Sequence, residues 1–113
     1  MNDQIKETIR FIVNALSVGD MQSLVRQKLL NLDEVDGTLE VIRQYDKHLI
    51  AIPPEGWALV DIYCRSQPGH INGQKDVYDM DIPLWTEEEG RSDLMLKINV
   101  NHGVVKILDV LVP

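Results

Sequence analysis

Two stretches of strict alternation constrain this chain more than anything else in it. Over Val77-Tyr78-Asp79-Met80-Asp81-Ile82-Pro83-Leu84, the side chains of Tyr78, Met80, Ile82 and Leu84 fall on one side of a period-two ribbon. Val77, Asp79, Asp81 and Pro83 fall on the other. The pattern resumes with Leu94, Leu96, Ile98 and Val100 against Met95, Lys97 and Asn99. One side of each ribbon suits a core and the other suits water. The spacing predicts an antiparallel hairpin whose tip is the acidic loop Trp85-Thr86-Glu87-Glu88-Glu89-Gly90-Arg91-Ser92-Asp93.

Upstream, the periodicity is helical. Ile5, Ile9, Ile12, Val13 and Leu16 recur at the spacing of one helix face, with Asn2 or Asp3 placed to cap the first turn. Gly19 can take the left-handed conformation that ends this helix. Asp20 can then cap a second one carrying Met21, Leu24, Val25 and Leu29. Asp33-Glu34-Val35-Asp36-Gly37 reads as a turn, and Leu39, Ile42 and Tyr45 suggest a short third helix over Thr38 to Tyr45.

Leu49-Ile50-Ala51-Ile52 stops at Pro53-Pro54 and is at most an edge strand, because proline donates no backbone hydrogen bond. Trp57 to Cys64 alternates, with Ala58, Val60, Ile62 and Cys64 against Leu59, Asp61 and Tyr63, and predicts the first full strand. Arg65 to Asp76 is a polar connection, and Asn101-His102-Gly103 a second hairpin turn. The last strand, Val104 to Val112, does not alternate cleanly. It is either central and covered on both sides or bulged near Leu108.

The element order implies a single α+β domain over residues 1–113, with two or three N-terminal helices packed on one face of a C-terminal antiparallel meander of about four strands. If Val60, Ile62, Met80, Ile82, Leu96 and Ile98 face inward, the open face carries Asp61, Asp79, Asp81, Lys97 and Asn99 and should be mainly acidic. An apolar fraction of 44% is enough to build a core, and the net charge of -7 argues against nucleic acid, whose phosphates need clustered Lys and Arg. The single Cys excludes an intrachain disulfide, and Met1-Asn2-Asp3-Gln4 does not resemble a signal peptide, so a cytoplasmic address is expected. No apolar run approaches the roughly 20 residues of a membrane-spanning helix.

The corner Ala15-Leu16-Ser17-Val18-Gly19-Asp20-Met21-Gln22-Ser23-Leu24, followed by a strand meander, resembles the opening of cystatin-like or NTF2-like α+β domains. Leu84-Trp85-Thr86-Glu87-Glu88-Glu89-Gly90-Arg91-Ser92-Asp93-Leu94 is similar to a signature of small bacterial domains of uncharacterised function. The first resemblance implies a ligand pocket between helices and sheet, for which Tyr45, Asp61, Tyr63 and Tyr78 are the available counterparts. The second brings no activity with it.

No reactive constellation stands out. His48, His70 and His102 match no zinc spacing, Asp33, Glu34, Asp36 and Glu40 lack the ligand order of a calcium loop, and Cys64 reads as a small buried hydrophobe. Arg91 suits pairing with its own loop better than holding an anion. No metal, cofactor or catalytic residue is therefore expected. The expected site is a partner surface of Asp79, Asp81, Trp85, Glu87, Glu88 and Glu89, with Trp85 an exposed aromatic anchor among carboxylates. The function expected is non-enzymatic binding of a basic protein, in the manner of a bacterial immunity protein neutralising a nuclease-like toxin. The alternative is an NTF2-like small-molecule domain, and the apolar final strand also offers a route to a homodimer.

Overall fold

The structure, a computed structural model, describes residues 3–66 and 77–113. Helix α1 spans Asp3–Val18 and buries Ile5, Ile9, Ile12, Val13, Ala15 and Leu16, the face the periodicity predicts. Gly19 ends it at φ +72°, and Asp20 caps α2, Met21–Arg26. One Asp20 oxygen accepts the Ser23 amide at 3.2 Å and the other the Ser23 hydroxyl at 2.6 Å. These bonds hold the Asp20 carboxyl below its usual range. The chain then forms a 3-10 turn at Leu32–Glu34, helix α3 at Val35–Tyr45, and a two-residue strand β1 at Leu49–Ile50. Leu29 is buried, as expected, but lies beyond the end of α2.

The sheet is completed by β2, Val77–Thr86, β3, Gly90–Asn101, and β4, Val104–Leu111, in the antiparallel order β1-β2-β3-β4. It curls as a half-barrel around its helices, the α+β layout expected. The β2–β3 hairpin starts earlier than the alternation indicated, because Thr86 pairs with Gly90 around a three-residue turn, Glu87 to Glu89. Gly90, at φ +74°, supplies the left-handed residue that a three-residue hairpin loop requires. Between Pro83 and Trp85 the register shifts, and Leu84 faces the extra residues Ser92, Asp93 and Leu94 of β3. The buried Ser92 hydroxyl repairs this bulge by donating to the Leu84 carbonyl at 2.8 Å and accepting the Leu94 amide at 3.1 Å.

The Trp57–Cys64 strand is overturned. Pro54–Ser66 is a helix, α4, inserted between β1 and β2. The reason lies just upstream: Pro54 takes the first helical position, where a missing N–H costs nothing, and the Pro53 carbonyl accepts the Gly56 and Trp57 amides at 2.8 and 3.2 Å. Trp57 and Val60, three apart, are both buried, which a helix face allows and a strand does not. Trp57 also lies beneath two cations of α1, with Lys6 Nζ 5.2 Å and Arg10 Cζ 5.1 Å from a ring centroid. The side chains of Ile62, Tyr63 and Cys64, the polar stretch after Ser66 and His70 fall outside what the structure describes.

The final strand is an edge, not a central strand. Its irregular pattern comes from a bulge: Lys97 faces Asp109 but Ile98 faces Ile107, leaving Leu108 unpaired and exposed. Val105, Ile107 and Val110 can thereby all point inward. The edge is also partly occupied. The Ile107 amide donates to the Leu29 carbonyl at 2.8 Å, and the Val110 amide to the Asp109 carboxylate at 2.9 Å.

Candidate functional site

The inner face of the sheet is closed by side chains. Met80, Ile82, Leu84, Leu94, Leu96 and Ile98 join Ile9, Ile12, Leu24 and Val60 in one core in which each of them has no exposed surface. Tyr45, one of the residues that the NTF2-like resemblance implies for a pocket, turns its hydroxyl instead to the β2–β3 turn. The candidate site is therefore on the surface.

At the turn, Glu87, Glu88 and Glu89 are all exposed. They are not a free loop. The Glu87 amide donates to the His48 carbonyl at 2.8 Å. Glu88 Oε1 accepts the His48 amide at 2.8 Å, and its Oε2 lies 2.6 Å from His48 Nδ1. Glu89 Oε1 accepts the Tyr45 hydroxyl at 2.8 Å and the Thr86 hydroxyl at 3.2 Å, while the Glu89 amide donates to Thr86 Oγ1 at 3.1 Å. Tyr45 completes the clasp by accepting the Asp93 amide at 3.1 Å. The loop is thus stapled to the end of α3 and to His48, just before β1, and the carboxylates of Glu88 and Glu89 are held in place.

The electrostatics follow from these contacts. The hydrogen bond to Glu88 raises the His48 pKa, helped by the charges of Glu88, Glu87 and Asp46. The His48 amide and ring lower that of Glu88. His48 is itself largely exposed, so the imidazole faces solvent while held beside the Glu88 carboxylate. Asp46 reaches this neighbourhood because it ends α3 in the left-handed conformation, φ +56°, with its amide donating to the Arg43 carbonyl at 3.1 Å.

The six residues expected to form one surface do not. Trp85 is buried, 7% exposed, against the start of α4. The register shift at Leu84 interrupts the simple alternation there, and Trp85 joins the same core as Ile52 and Trp57. The expected exposed anchor is thus a packing residue. Asp79 and Asp81 remain on the open face, about 20 Å of strand from the turn. There they belong to mixed rows: Asp81 pairs across to Lys97 and on to Asp109, and Asp79 to Asn99 and on to Lys106. Asn99 Nδ2 donates to Asp79 Oδ1 at 2.9 Å. Lys97 and Lys106 interrupt the acids and Asp61 lies on α4 rather than on a strand, so the open face is not the mainly acidic one expected.

Sequence reasoning weighed Tyr45 only for a pocket and His48 only for a metal, passed over Asp46, and joined none of them to the acidic turn. They lie some 40 positions from the acidic turn, and pairing across that distance leaves no local periodicity. The one legible hint was a polar and aromatic run, Tyr45-Asp46-Lys47-His48, directly before an edge strand. Among the described residues, no group of three or more His, Cys, Asp or Glu side chains is arranged to hold a metal. No described helix is long and apolar enough to cross a membrane.

Residues 13–113 match a domain family of unknown function, DUF7668. The chain belongs to this family. The match begins within α1 and takes in the stapled turn, its partners at the end of α3 and just before β1, and the whole sheet. No curated protein and no solved structure matches the chain.

Proposed function

We propose that this chain is a non-enzymatic binding domain for a basic protein partner, working through the β2–β3 turn in the manner of a bacterial immunity protein that neutralises a nuclease-like toxin. One observation carries the reading: the Glu87-Glu88-Glu89 turn is exposed yet locked by hydrogen bonds to Tyr45, His48 and Thr86. Acids that serve only to keep a surface wet need no fixed geometry. Acids that meet a partner gain from one, because each side chain already ordered removes an entropic cost of association. Asp46 and Asp93, exposed beside the turn, extend the negative patch, and the net charge of -7 would speed encounter with a cationic surface. Asp79 and Asp81 would meet the partner only if it also reached the open face. The pocket alternative has less support because, of its counterparts, Tyr45 is engaged by the turn and the described core side chains pack against one another.

The test is kinetic. A basic nuclease-like polypeptide is presented to the wild type and to a variant carrying Glu87→Gln, Glu88→Gln and Glu89→Gln. The expected result is association that slows steeply with salt and, at low salt, an on-rate at least about tenfold lower for the variant. An on-rate indifferent both to salt and to the three substitutions removes the turn from the interface.

A further inference from the structure

Two features on the opposite side of the molecule are left unexplained by this reading. The first is a groove of about 730 Å³ between α1 and the edge of β4. Its floor is apolar, formed by Phe11, Leu29, Val104 and Val105, and both Phe11 (41%) and Val104 (61%) are exposed. Its rim is basic, although the protein is acidic: Lys28 and Lys106 are exposed there, and no side-chain ion pair holds either of them among the described residues. The one acid on the rim, Glu7, is already paired with Arg10. The second feature is Leu32, which opens the 3-10 turn with 77% of its surface exposed and is followed directly by the exposed acids Asp33 and Glu34.

The groove lacks an acid-flanked apolar side chain, and the turn lacks an apolar, base-rimmed seat. We propose that each is the other's partner: the Leu32-Asp33-Glu34 turn of one copy seats in the α1–β4 groove of a second copy, with Leu32 against Phe11 and Val104 and the two acids opposite Lys28 and Lys106. Lys28 and Leu32 are four residues apart, at most about 14 Å of chain, so a two-fold axis near this segment places both turns over both grooves at once. The contact is closed and self-complementary. It differs from strand-edge pairing, which the Leu108 bulge and the engaged amides of Ile107 and Val110 obstruct.

Sedimentation velocity across a wide concentration range tests this, with the intact chain as its own probe. The wild type is expected to dimerise, more weakly at high salt. Lys28→Glu with Lys106→Glu in one variant, and Asp33→Lys with Glu34→Lys in another, should each weaken self-association by at least about tenfold per opposed pair. An equimolar mixture of the two variants should recover a dimer, since both of its seats then pair opposite charges. Leu32→Ser should weaken the dimer without altering monomer stability. A wild type that stays monomeric at the highest concentration overturns the proposal, as does a dimer indifferent to both charge reversals or a mixture that fails to recover.

Discussion

Glu88 holds His48 at two points, with one carboxylate oxygen on the backbone amide at 2.8 Å and the other 2.6 Å from the ring Nδ1. This two-point contact joins elements 40 residues apart and couples the shape of the acidic turn to pH.

His48 titrates above its ordinary value in the folded chain, so its contribution to stability is complete below about pH 6.5 and is lost as pH rises through the elevated pKa. Glu88 titrates below its ordinary value, so its contribution is complete above about pH 4.3 and is lost as pH falls through the depressed pKa. The clasp is therefore tightest between about pH 4.3 and 6.5 and loosens on the alkaline side as His48 deprotonates. A proton NMR titration of the His48 ring should show a midpoint above that of an unfolded histidine, and Glu88→Gln should return it toward the ordinary value. A midpoint at or below ordinary would contradict the clasp.

Tyr45→Phe removes the hydroxyl that bridges Glu89 and the Asp93 amide while keeping the ring. A loss of about 0.5–1.5 kcal/mol in chemical denaturation is expected, near the upper end because Glu89 is charged. Faster amide exchange at Asp93 should accompany it. If the proposed function holds, the same variant should also slow association with the basic partner, because the turn it loosens is the docking surface.

Trp85→Ala should be the most damaging single change in the acidic segment, at about 3–5 kcal/mol, because it empties a buried site under α4. Glu87→Gln, two residues on in the exposed turn, should leave the stability unchanged within about 0.5 kcal/mol. Equal effects of the two on stability would contradict the burial of the indole.

Gly56 is where α4 passes close to the Trp85 indole and to Ile52. A Cβ there would stand 2.8 Å from Trp85 Cζ2 and 2.9 Å from Ile52 Cγ2, closer than packed atoms tolerate. Gly56→Ala would gain about 1 kcal/mol of helix propensity. It would also force the buried indole and Ile52 to move, at about 1–3 kcal/mol. A net destabilisation by thermal melting is expected. Gly37→Ala, in α3 with nothing near the added methyl, should instead stabilise.

The contrast between Trp57 and Tyr78 shows how far local pattern reaches. Both stretches alternate and both are rich in residues favoured in strands. Tyr78 to Leu84 became a strand because β3 lies beside it with the matching alternation. Trp57 to Cys64 had no such neighbour, and Pro53-Pro54 had already set a helix start that outweighs strand propensity. That start signal is present in the sequence, but the same Pro53-Pro54 pair equally marks the end of the preceding strand.

Sequence alone determined the period-bearing elements: the buried face of α1, the Gly19-Asp20 corner with its cap, the β2–β3 ribbon and the bulge option at Leu108. Each of these depends on residues within a turn or two of one another, where spacing translates directly into geometry. Only the tertiary structure decided that Trp85 is covered, that lysines from β3 and β4 break up the acids of β2, and that Tyr45 and His48 hold the Glu87-Glu89 turn. Those outcomes depend on which distant segments are brought side by side, and no local periodicity encodes a contact across 40 residues.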